Sequence, residues 1–124
     1  MVKRILVLDD NQDILEMVKE VLSYEHFDVC TTCTSNNILQ LAHDYHPDLV
    51  ILDYLLNDGN GGEICKQFKA DKELSNIPVI IFSAYFQHDV NFAALGCEAV
   101  IAKPFDLKEL VDKVNALTTP NYIA

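Results

Sequence analysis

Four short, unbroken apolar runs, at residues 5–8, 49–52, 79–82 and 99–102, most constrain what this chain folds into. Such a run, with no polar alternation, suits a central strand covered on both faces in a parallel sheet. Residues 28–33 are more polar and alternate, and read as a fifth strand nearer an edge. Helix-period segments lie between the strands. Ile14, Leu15, Val18, Val21 and Leu22 share one face, and Ile38, Leu39, Leu41, Ala42 and Tyr45 share another. Ile64, Cys65 and Phe68 mark a third helix, residues 90–95 a short fourth ended by Gly96, and Leu107, Leu110, Val111, Val114 and Leu117 a fifth. Asp106, with Glu109 three residues later, has the form of a capping box opening that last helix.

Five strand–helix units in 124 residues imply right-handed crossovers and an α/β fold: a single five-stranded parallel sheet with helices on both faces. A flavodoxin-like strand order, 2-1-3-4-5, is expected. No linker or composition shift divides the chain, so residues 1–124 read as one domain, with 118–124 as a short tail containing Pro120.

Nineteen acidic against nine basic side chains leave a formal charge of −10, which repels nucleic acid phosphates and anionic membrane surfaces. No direct nucleic acid binding and no membrane association are expected. The first apolar run is too short for a signal-peptide core, and a cytoplasmic location is the expectation. Cys30, Cys33, Cys65 and Cys97 are expected as free thiols. The Cys30-Thr-Thr-Cys33 spacing resembles a redox or zinc half-motif, but its alternation suits a strand better, and zinc needs a second ligand pair.

Ligands of open α/β sheets bind outside the carboxyl ends of the strands. There the first strand leads into Asp9-Asp10, the third into Asp53, the fourth into Ser83-Ala84 and the fifth into Lys103-Pro104. A single carboxylate at a strand end commonly caps the next helix. Three converging ones repel and raise one another's pKa unless a cation sits among them. A hard divalent ion is the natural guest, and Mg²⁺ suits a site that also holds a phosphoryl group.

The chain resembles the receiver domains of bacterial response regulators over nearly its whole length. The resemblance is carried by Asp9-Asp10, Asp53, Gly61 eight residues later, Ser83-Ala84 and Lys103-Pro104-Phe105, in that order. It implies that Asp53 accepts a phosphoryl group from a sensor histidine kinase or histidine phosphotransfer protein and then switches binding to a downstream protein. It implies Mg²⁺ held by Asp10, Asp53 and the Leu55 carbonyl, with Asp9 assisting through water. Ser83, the Ala84 backbone and Lys103 would bind the phosphoryl oxygens, Ser83 and position 100 would switch, and Lys103–Pro104 would be a cis peptide. Such a domain is not an enzyme beyond promoting its own phosphorylation and dephosphorylation.

Several positions depart from the family pattern. Leu56-Asn57 stands where Met-Pro is usual, Val100 where an aromatic switch residue is common, and the stretch from Ser83 to Gly96 is slightly short. With valine at 100, the switch is expected to run through the loop around Ser83, Tyr85 and Phe86 rather than through a rotating ring. Leu55 and Tyr85 are expected to shield the phosphoryl group from water and lengthen its lifetime. Tyr85 and Phe86 are also read as a contact surface or a cover for the sheet edge. His43 and His46 read as part of a solvated helix end.

Three other functions fit less well. A flavin-phosphate site wants a Ser/Thr/Gly-rich first loop, where this one is acidic. An aspartate-nucleophile phosphatase wants Asp-x-Asp there, where this chain has Asp9-Asp10-Asn11. A receiver fold that works without phosphorylation has no need of Asp10, Asp53, Ser83 and Lys103 together.

Overall fold

The computed structural model describes residues 2–83 and 91–119. Five parallel strands form one sheet: β1 (Arg4–Leu8), β2 (Asp28–Thr32), β3 (Leu49–Asp53), β4 (Val79–Ser83) and β5 (Ala99–Ala102). Their order is 2-1-3-4-5, with β1 in register against both β2 and β3, and β4 against both β3 and β5. The helices are α1 (Gln12–Tyr24), α2 (Ile38–Tyr45), α3 (Gly61–Ala70), α4 (Phe92–Leu95) and α5 (Leu107–Thr118).

Strand residues alternate between two cores because successive side chains leave a strand on opposite faces. Ile5, Val7, Leu49, Ile51, Ile80, Phe82 and Ile101 pack with Leu15, Val18 and Leu22 of α1 and Leu110 and Val114 of α5. Leu6, Leu8, Val50, Leu52, Val79 and Ile81 pack with Ile38 and Ala42 of α2 and Ile64, Cys65 and Phe68 of α3. Phe68 and Phe82 are fully buried, a contribution of roughly 1.5–3 kcal/mol for each such side chain. All four cysteines are free.

Short polar side chains cap α1, α3 and α5. Asn11 accepts from Ile14 N at 3.1 Å, and Asn60 from Gly62 N at 2.8 Å and Glu63 N at 3.2 Å. Asp106 accepts from Lys108 N at 2.8 Å. Among the described residues Glu109 makes no return bond to Asp106, so α5 has a capping aspartate rather than the reciprocal box its sequence suggests. Gly96, at φ 85°, closes α4 in the left-handed conformation that glycine tolerates best.

Two expectations need correction. Residues 99–102 read as a central strand, but β5 is an edge strand in which only Ile101 is fully buried. Its alanines are apolar in sequence yet too small to demand cover on both faces. Thr118, read as the start of the tail, is instead the last residue of α5, buried and donating its hydroxyl to Val114 O at 2.7 Å.

Candidate functional site

The alternation that builds the core also assembles the site. Asp9 follows Ile5 and Val7, Asp53 follows Leu49 and Ile51, and Lys103 follows Ile101, each two residues beyond a member of the α1/α5 core. They emerge at the carboxyl edge of the sheet and meet there. Lys103 Nζ lies 2.7 Å from Asp9 Oδ2 and 3.3 Å from Asp53 Oδ1. To reach them from the edge strand it passes over the Phe82 ring, 5.6 Å from the ring centroid, where an ammonium is attracted by the π face. Phe105 stacks against the same ring at 4.7 Å.

Burial makes this arrangement electrostatically tense. Asp9 is inaccessible and Asp53 only 5% exposed. Loss of hydration pushes the Asp53 carboxyl up to about 6, the Asp9 charge adds to that rise, and Lys103 opposes it. Asp9 also accepts from Asn11 N at 2.9 Å. Asp10, half-buried, accepts from Asn57 N at 2.8 Å. Oxygens of Asp9, Asp10 and Asp53 lie within 4.8 Å of one another. An all-oxygen donor set carrying three carboxylates fits a hard divalent cation and offers Mg²⁺ the carboxylates it prefers.

Backbone contacts hold the acidic end in place. Tyr54 N donates to Phe82 O and Gly61 N donates to Tyr54 O, both at 2.8 Å. A Cβ at position 61 would collide with the Asp53 carbonyl oxygen, so the start of α3 can lie against the end of β3 only with glycine there. Lys103 N donates to Ser83 O at 2.6 Å, joining the ends of β4 and β5. The Lys103–Pro104 peptide is cis.

The other sequence candidates are distributed as follows. Ser83 is buried at the end of β4, in register with Ala102. Leu55 stands in a two-residue ladder, Leu55–Leu56 against Gly59–Asn60, with its side chain 47% exposed. Val100 is 36% exposed on β5. Ala84, Tyr85 and Phe86 lie outside the described residues.

Sequence reasoning missed two polar clusters. His43 lies at the solvated end of α2, but its ring is paired there: Nε2 lies 2.9 Å from Asp71 and Nδ1 3.0 Å from Glu73. Asp58 accepts from Thr34 Oγ1 at 2.8 Å and from Ser35 N at 3.0 Å. Each joins residues more than twenty positions apart, and no local spacing announces such a pair.

Residues 5–115 match the family model described as the response regulator receiver domain. The polar-differentiation response regulator DivK of Brucella ovis is 28% identical over 118 residues, which cover 94% of this chain and 96% of that protein. The nisin biosynthesis regulatory protein NisR of Lactococcus lactis is 36% identical over 118 residues, 94% of this chain but 50% of NisR. The chemotaxis response regulator CheY4 of Vibrio cholerae superposes with a TM-score of 0.86 at 20% identity, covering 94% of this chain and 99% of that one, a likeness of fold.

Proposed function

Because the chain belongs to the response regulator receiver domain family, we propose that Asp53 is its phosphoacceptor and that phosphorylation switches the binding of a downstream protein. The donor is the phosphohistidine of a sensor histidine kinase or of a histidine phosphotransfer protein. A carboxylate oxygen of Asp53 forms the new bond to phosphorus as the nitrogen–phosphorus bond breaks, and the electron pair of that bond stays on the imidazole. The placement of Asp53 carries this reading: it is buried beside Asp9 and Lys103 at the carboxyl edge of the sheet.

Three features of the chain serve that transfer. Even with burial pushing its carboxyl up to about 6 in the metal-free site, Asp53 is mostly ionised at neutral pH and available as the nucleophile. Lys103 neutralises charge as the phosphoryl group arrives, and Ser83 supplies a hydroxyl to one of its oxygens. Asp10, Asp53 and the Leu55 carbonyl would hold Mg²⁺, with Asp9 assisting through water, and the ion would supply further positive charge beside the phosphoryl group.

The phosphoryl group adds charge and strong acceptor oxygens at a buried point. Lys103, now shared between Asp9 and Asp53, turns to the phosphoryl oxygens, and Ser83 follows at the end of β4. Val100 is a short, β-branched and partly exposed side chain, so the switch runs through the segment that follows Ser83 rather than through rotation at position 100.

The test is intact-mass measurement after incubation with phosphoramidate and MgCl₂. The parent is expected to gain one phosphoryl group, and Asp53→Asn none. Equal labelling of both proteins would overturn the assignment of Asp53.

A further inference from the structure

The loop after β3 reaches the acidic cluster through a backbone amide. Asn57 N donates to Asp10 Oδ2 at 2.8 Å, the one hydrogen bond the Asp10 carboxylate makes among the described residues. Asp9, by contrast, is held by both Asn11 N and Lys103. The orientation of Asp10 therefore depends on where this loop places Asn57.

The loop has little of its own to keep it there. Its ladder pairs only Leu55 with Asn60 and Leu56 with Gly59, and a hairpin that short is not stable alone. Leu55, Asn57, Asp58 and Gly59 are all exposed, and Leu56, half-buried against the α2/α3 core, is the one apolar anchor of the turn. What fixes it is Asp58. Its carboxylate accepts from Thr34 Oγ1 and Ser35 N, and its carbonyl accepts from Ser35 Oγ at 3.3 Å. All three bonds cross from the loop after β2.

We propose that Asp58 is a positioning residue of the metal site: by tying the loop after β3 to the loop after β2, it holds the Asn57 amide on Asp10. The amide engages one carboxylate oxygen and leaves the other for the cation. A carboxylate oriented before the ion arrives loses less rotational freedom on binding, and hydrogen-bonded partners of metal ligands commonly tune affinity in this way. The proposal rests on the Mg²⁺ reading given above. It also depends on residue 57 not being proline, which has no N–H to donate.

NMR titrations of the full chain with MgCl₂, without phosphodonor, test it, because peak dispersion reports the fold and the Asp10 and Asp53 signals report binding. Asp58→Ala is expected to raise the dissociation constant about three- to tenfold, at or below the usual range for such partners. Asp58→Asn keeps an acceptor oxygen and is expected to stay within about twofold of the parent. Asn57→Pro removes the amide but leaves Asp58, and is expected to weaken binding as Asp58→Ala does. Proline is tolerated at the first central position of a turn, and Asn57 is not among the described residues of positive φ.

A parent that binds Mg²⁺, with Asp58→Ala and Asn57→Pro binding equally or more tightly, would overturn the proposal and leave the metal site standing. A parent whose Asp10 and Asp53 signals do not respond to MgCl₂ would overturn the metal site and the proposal with it. Should Asp58→Ala fail to fold, parent-like affinity in Asn57→Pro decides against the proposal by itself.

Discussion

The two edges of the sheet each hold carboxylates around one basic side chain, with opposite electrostatic outcomes. At the carboxyl edge Lys103 stands between Asp9 and Asp53, and burial drives Asp53 up to about 6. At the other edge, where α2 and α3 end, His43 stands between Asp71 and Glu73. There the hydrogen bond from His43 draws Asp71 below its ordinary value, while the Asp71 and Glu73 bonds raise His43. The Asp9 side chain is fully buried, whereas that of Glu73 is 76% exposed. Removing water leaves like charges unscreened and in need of a further cation or a proton; where water remains, the same groups make an ordinary surface clamp. One edge is under tension that a ligand can relieve, and the other is already satisfied.

The largest effect is expected from removing the cation at the buried edge. Lys103→Met leaves the buried Asp9 without its cation and Asp53 without its opposing charge. Breaking a buried pair on one side is strongly destabilising, here by about 3–5 kcal/mol at pH 7 in chelator. Urea unfolding measures it, and the deficit should shrink toward pH 5 as Asp53 takes up a proton. A loss that does not change with pH would mean that repulsion among the acids is not its source.

The second effect has the opposite sign. Asp53 has a folded-state pKa raised above its unfolded value of 3.8. Its favourable contribution is therefore complete below about pH 4 and is lost as pH rises through about 6. Asp53→Asn removes that loss, so the variant is expected to be about 1–3 kcal/mol more stable than the parent at pH 7 in chelator. The gain should vanish near pH 4, and MgCl₂ should narrow it by stabilising the parent more than the variant. Urea curves at the two pH values check this, and a variant no more stable at pH 7 would remove the tension from one side of the comparison.

The smallest effect belongs to the exposed clamp. His43 is raised chiefly by its hydrogen bond to Asp71, so its contribution is complete below pH 6.5 and fades as pH rises through the folded value. His43→Gln is expected to lower the thermal midpoint at pH 6, by less than Lys103→Met does at pH 7, relative to each parent value. It should change little at pH 9. A deficit of equal size at both pH values would mean that the ring contributes by packing rather than by charge.

How much of this is legible in the chain depends on how local the cause is. The strands could be read because a doubly covered strand must be apolar without interruption, as residues 49–52 are, and the helices because Leu15, Val18 and Leu22 recur at the helical period. Burial and periodicity also set the parity that brings Asp9, Asp53 and Lys103 to one edge, so the acidic site was visible once the strands were placed. β5 misled, because its alanines satisfy an apolar pattern at an edge where cover is incomplete.

What only the tertiary structure decided are pairings whose partners lie far apart along the chain. His43 finds Asp71 and Glu73 across about thirty residues, and Asp58 finds Thr34 and Ser35 across more than twenty. A hydrogen bond needs its donor and acceptor within about 3 Å and aligned, and residue type and spacing do not set that distance when the residues sit on different loops. Asn57 shows this most clearly. Its side chain marks it as a turn residue, but the group that reaches Asp10 is its backbone amide, which every residue except proline carries. Sequence therefore determined which residues collect at the carboxyl edge, because strand periodicity is a local property. The packing of one loop against another determined how Asp10 is held there.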